Sequence, residues 1–250
     1  MSDRGDIAPN GRGWRRLSYT CRCGWVDWGH ALPGGPLGLK RQLDSERGDW
    51  PGLSRVDITY NGRPAYIVVY GQAMGNRLIT VSLQRHWVVL KGLSDKQKEQ
   101  VGLGIFLAAS HQFESLQSSF PFSLRGSGYS MEDLVSNLIG FYSAFRDVSQ
   151  DDMRRMCGEV SVEESYRIWD RYLPNGLGAI RNKTTRPVLF PSDQCPAGAT
   201  GFPDELEQLS AASAGVWYVV PTRRYIDGML INAGIPLEID SSGNVRPRRR

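Results

Sequence analysis

Two of the three histidines in this 250-residue chain lie three positions away from a carboxylate. Asp27 precedes His30, and Glu114 follows His111. On a helix this spacing places both side chains on one face. A carboxylate in that position can orient the imidazole, raise its basicity or share a metal ion with it. The spacing therefore makes each pair a candidate for a catalytic or metal-binding site.

Cys21 adds a candidate nucleophile, because it follows a predicted strand and precedes a segment predicted to start a helix. A thiol near a helix N-terminus has a lowered pKa, and a neighbouring imidazole can activate it. The first hypothesis is therefore a hydrolase or acyl-transfer enzyme with Cys21 as nucleophile. His30 or His111 would be the base, and Asp27 or Glu114 would orient it. An amide or ester of a small molecule or peptide would be the substrate.

Two further hypotheses use the same residues. In the second, a zinc or iron ion is bound by histidines and carboxylates, which such metals accept together. Its candidate ligands are His30, His111, Glu114 and Glu132. In the third, these side chains form a buried polar network in a binding domain that has no enzymatic activity. The residue pattern leaves all three open.

The four cysteines are too few to predict a disulfide framework in a chain of this length. Cys21 and Cys23 form a C-x-C pair, and no second pair follows at the spacing of a zinc ribbon. Cys157 and Cys195 have no neighbours that indicate chemistry. We therefore expect no disulfide framework and no structural zinc knuckle.

Several function classes are disfavoured because the sequence lacks their motifs. No phosphate-binding loop, dinucleotide fingerprint or metalloprotease motif is present. The net charge of +4 comes largely from arginines near the two ends, and such arms predict no specific nucleic-acid binding. The sequence contains no apolar run of roughly 18 residues, so it predicts no membrane span. The first residues lack the apolar core of a signal peptide, so a cytoplasmic location is expected.

The elements that must position these residues start with strands. Residues 17–20 predict a strand that leads into Cys21. Residues 55–70 alternate in polarity around Asn61-Gly62, a strong signal for a two-residue hairpin. A further strand is predicted over 77–90. Together these strands predict an antiparallel meander.

Helices follow the meander. Apolar spacing predicts a long helix from Ser94 to about residue 118, which would carry His111. Capping signals at Ser130 and Ser161 begin two more, and the segment 221–230 predicts another. Because helices and antiparallel strands are segregated along the chain, the fold class is α+β with a single core.

Three regions are predicted along the chain. Residues 1–16 form a disordered arm, 17–191 form the α+β core domain, and 192–250 form a C-terminal extension with a basic tail and a final hairpin near 241–244.

The motif Tyr19-Thr20-Cys21-Arg22, with the later Asp27 and His30, resembles the start of a bacterial family described as domain of unknown function 4056. That family has a D-x-x-H motif, a helix with His-Glu, and a segment close to S-x-E-D-L-x-S-N-L-x-G, which residues 130–140 match. The resemblance spans about residues 17–145. It implies no known activity, but the candidate residues Cys21, Asp27, His30, His111, Glu132 and Asn137 fall in its blocks. Cys23 and Gln112 depart from the family pattern, which has glycine and glutamate there.

Overall fold

The computed structural model describes residues 2–48, 58–75, 80–117, 130–198, 201–207, 209–212, 217–220, 223–226, 229–232, 237–239 and 244–247. The side chains of residues 72–84, 111–117, 205, 207 and those after 212 lie outside the described part. The predicted α+β class is confirmed, since several helices accompany sheets that are mainly antiparallel. Among the described helices, none combines the length and apolar character needed to cross a membrane.

The helices are α1 (Gly34–Ser45), α2 (Asp95–Gln117), α3 (Asp133–Arg146), α4 (Gln150–Cys157), α5 (Val162–Tyr172) and α6 (Asp204–Glu207). Short 3-10 helices span Arg4–Ile7 and Leu177–Ala179. The strands are β1 (Leu17–Thr20), β2 (Gly24–Asp27), β3 (Ile58–Tyr60), β4 (Arg63–Gly75), β5 (Thr80–Leu90), β6 (Trp217–Val220), β7 (Arg223–Ile226), β8 (Met229–Asn232), β9 (Leu237–Ile239) and β10 (Asn244–Pro247).

The chain divides into two compact units, each made of two separate stretches. The first unit contains residues 1–34 and 114–208, and the second contains 35–113 and 209–250. The unit boundaries therefore fall at other positions than the predicted boundaries at 17 and 192. Each unit takes one part of its chain from the N-terminal half and one from the C-terminal half.

The first unit is built around the β1–β2 hairpin, whose four-residue strands pair antiparallel and are buried throughout. Its apolar core includes Tyr19 and Trp25 from the hairpin and Trp169 from α5. The Trp25 ring meets Tyr19 and Trp169 edge-on, with centroids 5.6 Å and 5.4 Å away. Such edge-to-face contacts are the favoured aromatic geometry. The core therefore holds the hairpin, and with it the segment that carries Asp27, in a single orientation.

The N-terminal segment contributes to this core, although a disordered arm was expected over 1–16. Asp3 caps the first 3-10 helix, and the Ile7 side chain is fully buried among the core residues. Arg15 donates hydrogen bonds to the Val160 carbonyl and to Ser165. The sequence pattern missed this because the ordering contacts lie about 150 positions away.

The second unit contains a six-stranded sheet in the order β6-β5-β4-β3-β10-β9. The hairpin predicted at Asn61-Gly62 is confirmed: both residues have positive φ, 51° and 72°, and Tyr60 pairs with Arg63. The final hairpin is also confirmed as β9 and β10. The helix predicted over 221–230 is wrong, because β7 and β8 form an antiparallel hairpin there.

Candidate functional site

Asp27 is the last residue of β2, and its side chain is completely buried. Its backbone N–H donates a 3.0 Å hydrogen bond to Ser136 Oγ on α3. Its carboxylate accepts hydrogen bonds from the Gly29 N–H at 2.8 Å, from Arg16 Nη2 at 3.2 Å and from the Ser2 hydroxyl. Asp27 therefore fixes the turn that follows β2 and links it to the N-terminal segment and to α3.

His30 lies in this turn, and its side chain is 41% exposed. Its backbone N–H donates to the Asp27 carbonyl oxygen at 3.0 Å. Its Nδ1 lies 3.8 Å from Asp27 Oδ2 and 3.7 Å from Asp133 Oδ1. The structure thus brings Asp27 and His30 together through a strand end and a turn, and not through the helix expected from their spacing. The imidazole is the solvent-facing member of a cluster that otherwise lies inside the protein.

The start of α3 supplies the second carboxylate near His30. Asp133 is 6% exposed, and its Oδ2 accepts hydrogen bonds from the Ser130 N–H at 2.9 Å and the Ser130 hydroxyl at 2.6 Å. Asp133 was not among the candidate residues of the sequence analysis. The fold instead places its other oxygen, Oδ1, beside His30.

Glu132, next to Asp133, is fully buried. Within the described part of the chain, neither of its carboxylate oxygens has a hydrogen-bond partner of normal geometry. A buried, ionised carboxylate without a partner costs several kcal/mol, so burial favours the protonated form of Glu132. Burial, with the charge of Asp133 as the next cause, raises the pKa of Glu132 to about 8.

The two aspartates respond differently to their surroundings. Burial raises the pKa of Asp133, and the Ser130 hydrogen bonds and His30 oppose that rise only in part. For Asp27, burial also opposes ionisation. It is outweighed by the charge of His30 and by hydrogen bonds from Ser2 and Arg16, so the Asp27 pKa is lowered. The cluster therefore combines an ionised Asp27 with a Glu132 that resists ionisation, a division typical of acid–base sites.

The cysteines form two disulfide bonds, Cys21–Cys195 and Cys23–Cys157. The expectation that they form no disulfide framework is wrong, and so is the expectation that Cys157 and Cys195 have no chemical context. Residue counting missed these bonds because their partners are 174 and 134 positions apart. In the oxidised chain the Cys21 sulfur carries no ionisable proton, so it cannot be the predicted thiolate nucleophile.

The position of Cys21 also separates it from His30. Cys21 lies in the turn that joins β1 to β2, where its N–H donates to the Gly158 carbonyl at the end of α4. Asp27 and His30 follow the opposite end of β2. Three residue steps along a strand span about 10 Å, so β2 alone separates the turn from the cluster by that distance. The structure therefore does not bring Cys21 and His30 together as nucleophile and base.

His111 and Glu114 both lie in α2, as predicted, but their side chains are outside the described residues. Their roles as catalytic residues or metal ligands stay predictions. Among the described side chains, no group of three histidines, cysteines or carboxylates could hold a metal ion. What is assembled is a cluster of one imidazole and three carboxyl groups from Asp27, His30, Glu132 and Asp133.

Sequence reasoning missed two residues of α3 that support the cluster, Ser136 and Gly140. The Ser136 hydroxyl connects α3 to Asp27, and Gly140 allows α3 to approach the turn that carries His30. A β-carbon on Gly140 would lie 3.1 Å from the Ala31 carbonyl carbon and from the Leu32 carbonyl oxygen. The signal was present in the motif over residues 130–140, whose serine and glycine are spaced to face one neighbour.

Comparison of the chain with models of protein families, with curated proteins and with solved structures finds no match.

Proposed function

We propose that the protein is a hydrolase that activates water at His30 for attack on an ester or amide bond. The observation that carries the proposal is the position of His30, whose Nδ1 lies within 4 Å of two buried carboxyl groups while its side chain reaches solvent. A general base needs access to its substrate and a partner that stabilises its protonated form. Asp27 supplies that partner, because its lowered pKa keeps it ionised.

The chemistry follows from the two sides of the imidazole ring. Nδ1 faces the carboxylates, which leaves Nε2 on the other side to accept a proton from water. The resulting hydroxide attacks the carbonyl carbon, and the proton on Nε2 then passes to the leaving alcohol or amine. Asp27 and Asp133 stabilise the imidazolium between these steps, as the carboxylate does in a catalytic triad. Small-molecule and peptide substrates both remain in the proposal.

A panel of nitrophenyl esters and peptide amides tests the activity, with His30→Ala compared against wild type. We expect this substitution to lower kcat/KM at least 100-fold, the usual contribution of a general base. His86→Asn, on β5 of the second unit, is the matched control and should keep wild-type activity. Circular dichroism checks that both variants are folded. Full activity in His30→Ala would overturn the proposal.

The thiol mechanism expected from the sequence applies to this chain only after reduction of Cys21–Cys195. A double variant, Cys21→Ala with Cys195→Ala, separates the two mechanisms. If His30 activates the water, the variant keeps its activity as long as it is folded. If Cys21 is the nucleophile, activity appears in wild-type protein on reduction and is absent from the variant.

The disulfides also bear on where the protein acts. The sequence predicts a cytoplasmic location, whereas disulfide bonds persist mainly in oxidising compartments. We therefore propose that the active form is the oxidised one and that it works outside a reducing cytoplasm. Thiol labelling of protein taken directly from cells tests this: two intact disulfides support it, and four labelled cysteines contradict it.

The third expectation, a binding domain without enzymatic activity, is the outcome if no ester or amide is hydrolysed. Burial of Asp27, Glu132 and Asp133 fits a structural polar network as well as a catalytic one. The exposure of His30 favours the enzyme, since a network that serves only stability needs no solvent-facing base.

A further inference from the structure

The two disulfide bonds differ in how far solvent can reach them. Cys23 and Cys157 are 1% and 0% exposed, so the bond between them lies in the interior of the first unit. Cys195 is half-buried, and the residues on both sides of it are exposed. Its partner Cys21 is 7% exposed. Thiol–disulfide exchange requires the attacking thiolate to reach a sulfur atom, so Cys21–Cys195 is the bond of the two that is open to attack.

The segment that leads to Cys195 is fastened to the start of α5 without help from the disulfide. The Gln194 side chain accepts a 2.9 Å hydrogen bond from the Ser161 N–H and donates a 3.1 Å hydrogen bond to the Ser161 hydroxyl. The Ser192 hydroxyl donates to the Glu164 carboxylate. None of these hydrogen bonds involves a sulfur atom, so opening the disulfide leaves them in place. Cys195 therefore stays close to its partner after reduction.

The turn that carries Cys21 is also fixed independently of that bond. The Cys21 N–H donates a 2.9 Å hydrogen bond to the carbonyl of Gly158, which caps the end of α4. The buried Cys23–Cys157 bond ties the same turn to the last residue of α4. Two thiols that the fold holds near each other have a high effective concentration, so the bond between them reforms readily.

We propose that Cys21–Cys195 is a redox-active disulfide that exchanges with dithiols, while Cys23–Cys157 is the structural bond that keeps the turn in place. A thiolate of the dithiol attacks the sulfur of Cys195, the more exposed partner, and expels Cys21 as a thiolate. This step leaves a mixed disulfide on Cys195.

The second thiol of the dithiol completes the exchange. It attacks the dithiol's own sulfur in the mixed disulfide, and Cys195 leaves as a thiolate. The dithiol is oxidised to a disulfide and the protein bond is reduced by the same two electrons. The two protons that the dithiol loses are taken up by Cys21 and Cys195. Neither His30 nor its neighbouring carboxyl groups take part, so this proposal does not depend on the proposed hydrolysis.

Brief treatment of the full-length oxidised protein with dithiothreitol under native conditions, followed by alkylation, tests the proposal. The remaining disulfides are then reduced in denaturant and alkylated with an isotopically labelled reagent. Trypsin cleaves after Arg22 and so separates Cys21 from Cys23, and Cys157 and Cys195 also lie in peptides of their own. Mass spectrometry therefore reads each cysteine separately. We expect Cys21 and Cys195 to be reduced about tenfold faster, or more, than the buried pair.

Equal rates for all four cysteines, or faster reduction of the buried pair, would overturn the proposal, and this measurement needs no variant. Two double variants are matched controls. Cys23→Ala with Cys157→Ala keeps the exposed bond and should be reduced at the wild-type rate. Cys21→Ala with Cys195→Ala keeps the buried bond and should resist dithiothreitol until urea unfolds the chain. Rapid reduction of this second variant in its folded state would also reject the proposal.

Reoxidation tests whether the exposed pair can cycle. After dithiothreitol is removed, the partly reduced protein is mixed with oxidised glutathione. We expect Cys21 and Cys195 to rejoin, which appears as a linked pair of tryptic peptides without glutathione. A lasting glutathione adduct on either cysteine, or a bond between Cys21 and Cys157, would show that the fold does not hold the pair for exchange and would refute the proposal.

Discussion

Removal of one disulfide bond should cost this protein a large part of its stability, and the size of the loss can be worked from the connectivity. Cys21 and Cys23 lie on one turn, while their partners Cys195 and Cys157 are 38 positions apart. With one bond intact, the other closes a loop of only about 40 residues, because the shortest path runs through the intact bond. The chain-entropy relation then gives about 4 kcal/mol for loss of either bond.

Loss of both bonds removes more than twice that amount. Either bond alone would close a loop of 174 or 134 residues. The same relation gives about 5 kcal/mol for such a loop, so loss of both costs about 9 kcal/mol in all. A domain is typically stable by about 5–15 kcal/mol. We therefore expect each single-bond variant to fold and the fully reduced chain to be close to unfolding.

Urea unfolding followed by tryptophan fluorescence measures these losses. The variants are Cys21→Ala with Cys195→Ala, and Cys23→Ala with Cys157→Ala. Cys23 and Cys157 are almost completely buried, and Ala avoids burying a new polar group there. The second variant also loses some packing, so its loss should be the larger of the two. A loss below about 1 kcal/mol for either variant would contradict both the connectivity and the entropic account.

Two further predictions concern the cluster and its supports. In the unfolded chain Glu132 has an ordinary pKa of about 4.5, whereas in the folded chain its pKa is raised to about 8. Between these two pH values the folded state binds more protons than the unfolded state, so this group lowers the free energy of unfolding as the pH rises. Glu132→Gln should therefore become more stable relative to wild type from pH 5 to pH 8 in urea titrations, and a constant difference would refute this. Gly140→Ala should lose about 1–3 kcal/mol and reduce any hydrolytic activity, because the new methyl group would lie 3.1 Å from backbone atoms of Ala31 and Leu32 and would push them away from the His30 turn. Gly38→Ala, in open space on α1, should instead gain up to about 1 kcal/mol. Thermal melts of the two glycine variants measure both changes. Equal changes would show that the close approach of Gly140 to Ala31 and Leu32 does not affect stability.

Much of the local structure could be predicted from the residues alone, because its causes lie within a few positions. Asn61-Gly62 permits the positive φ angles that a tight hairpin needs. Ser161 caps α5 by accepting a hydrogen bond from the Glu164 N–H, as its capping signal predicts. The prediction of a helix over 221–230 is wrong because the segment also suits strands. Residues 223–226 pair with residues 229–232, and this pairing selects the strand conformation.

The candidate site also combines neighbours that are close in sequence with neighbours that only the fold brings together. The sequence by itself determined that Asp27 and His30 lie close together, since they are three positions apart in one turn. Only the tertiary structure decided that Glu132 and Asp133 join them, because the contact between β2 and α3 spans more than a hundred positions. The same holds for Cys21, whose chemistry as a thiol or a disulfide depends on whether residue 195 folds back onto its turn. Residue type limits what a side chain can do, and the long-range packing of the chain determines which of those roles its neighbours allow.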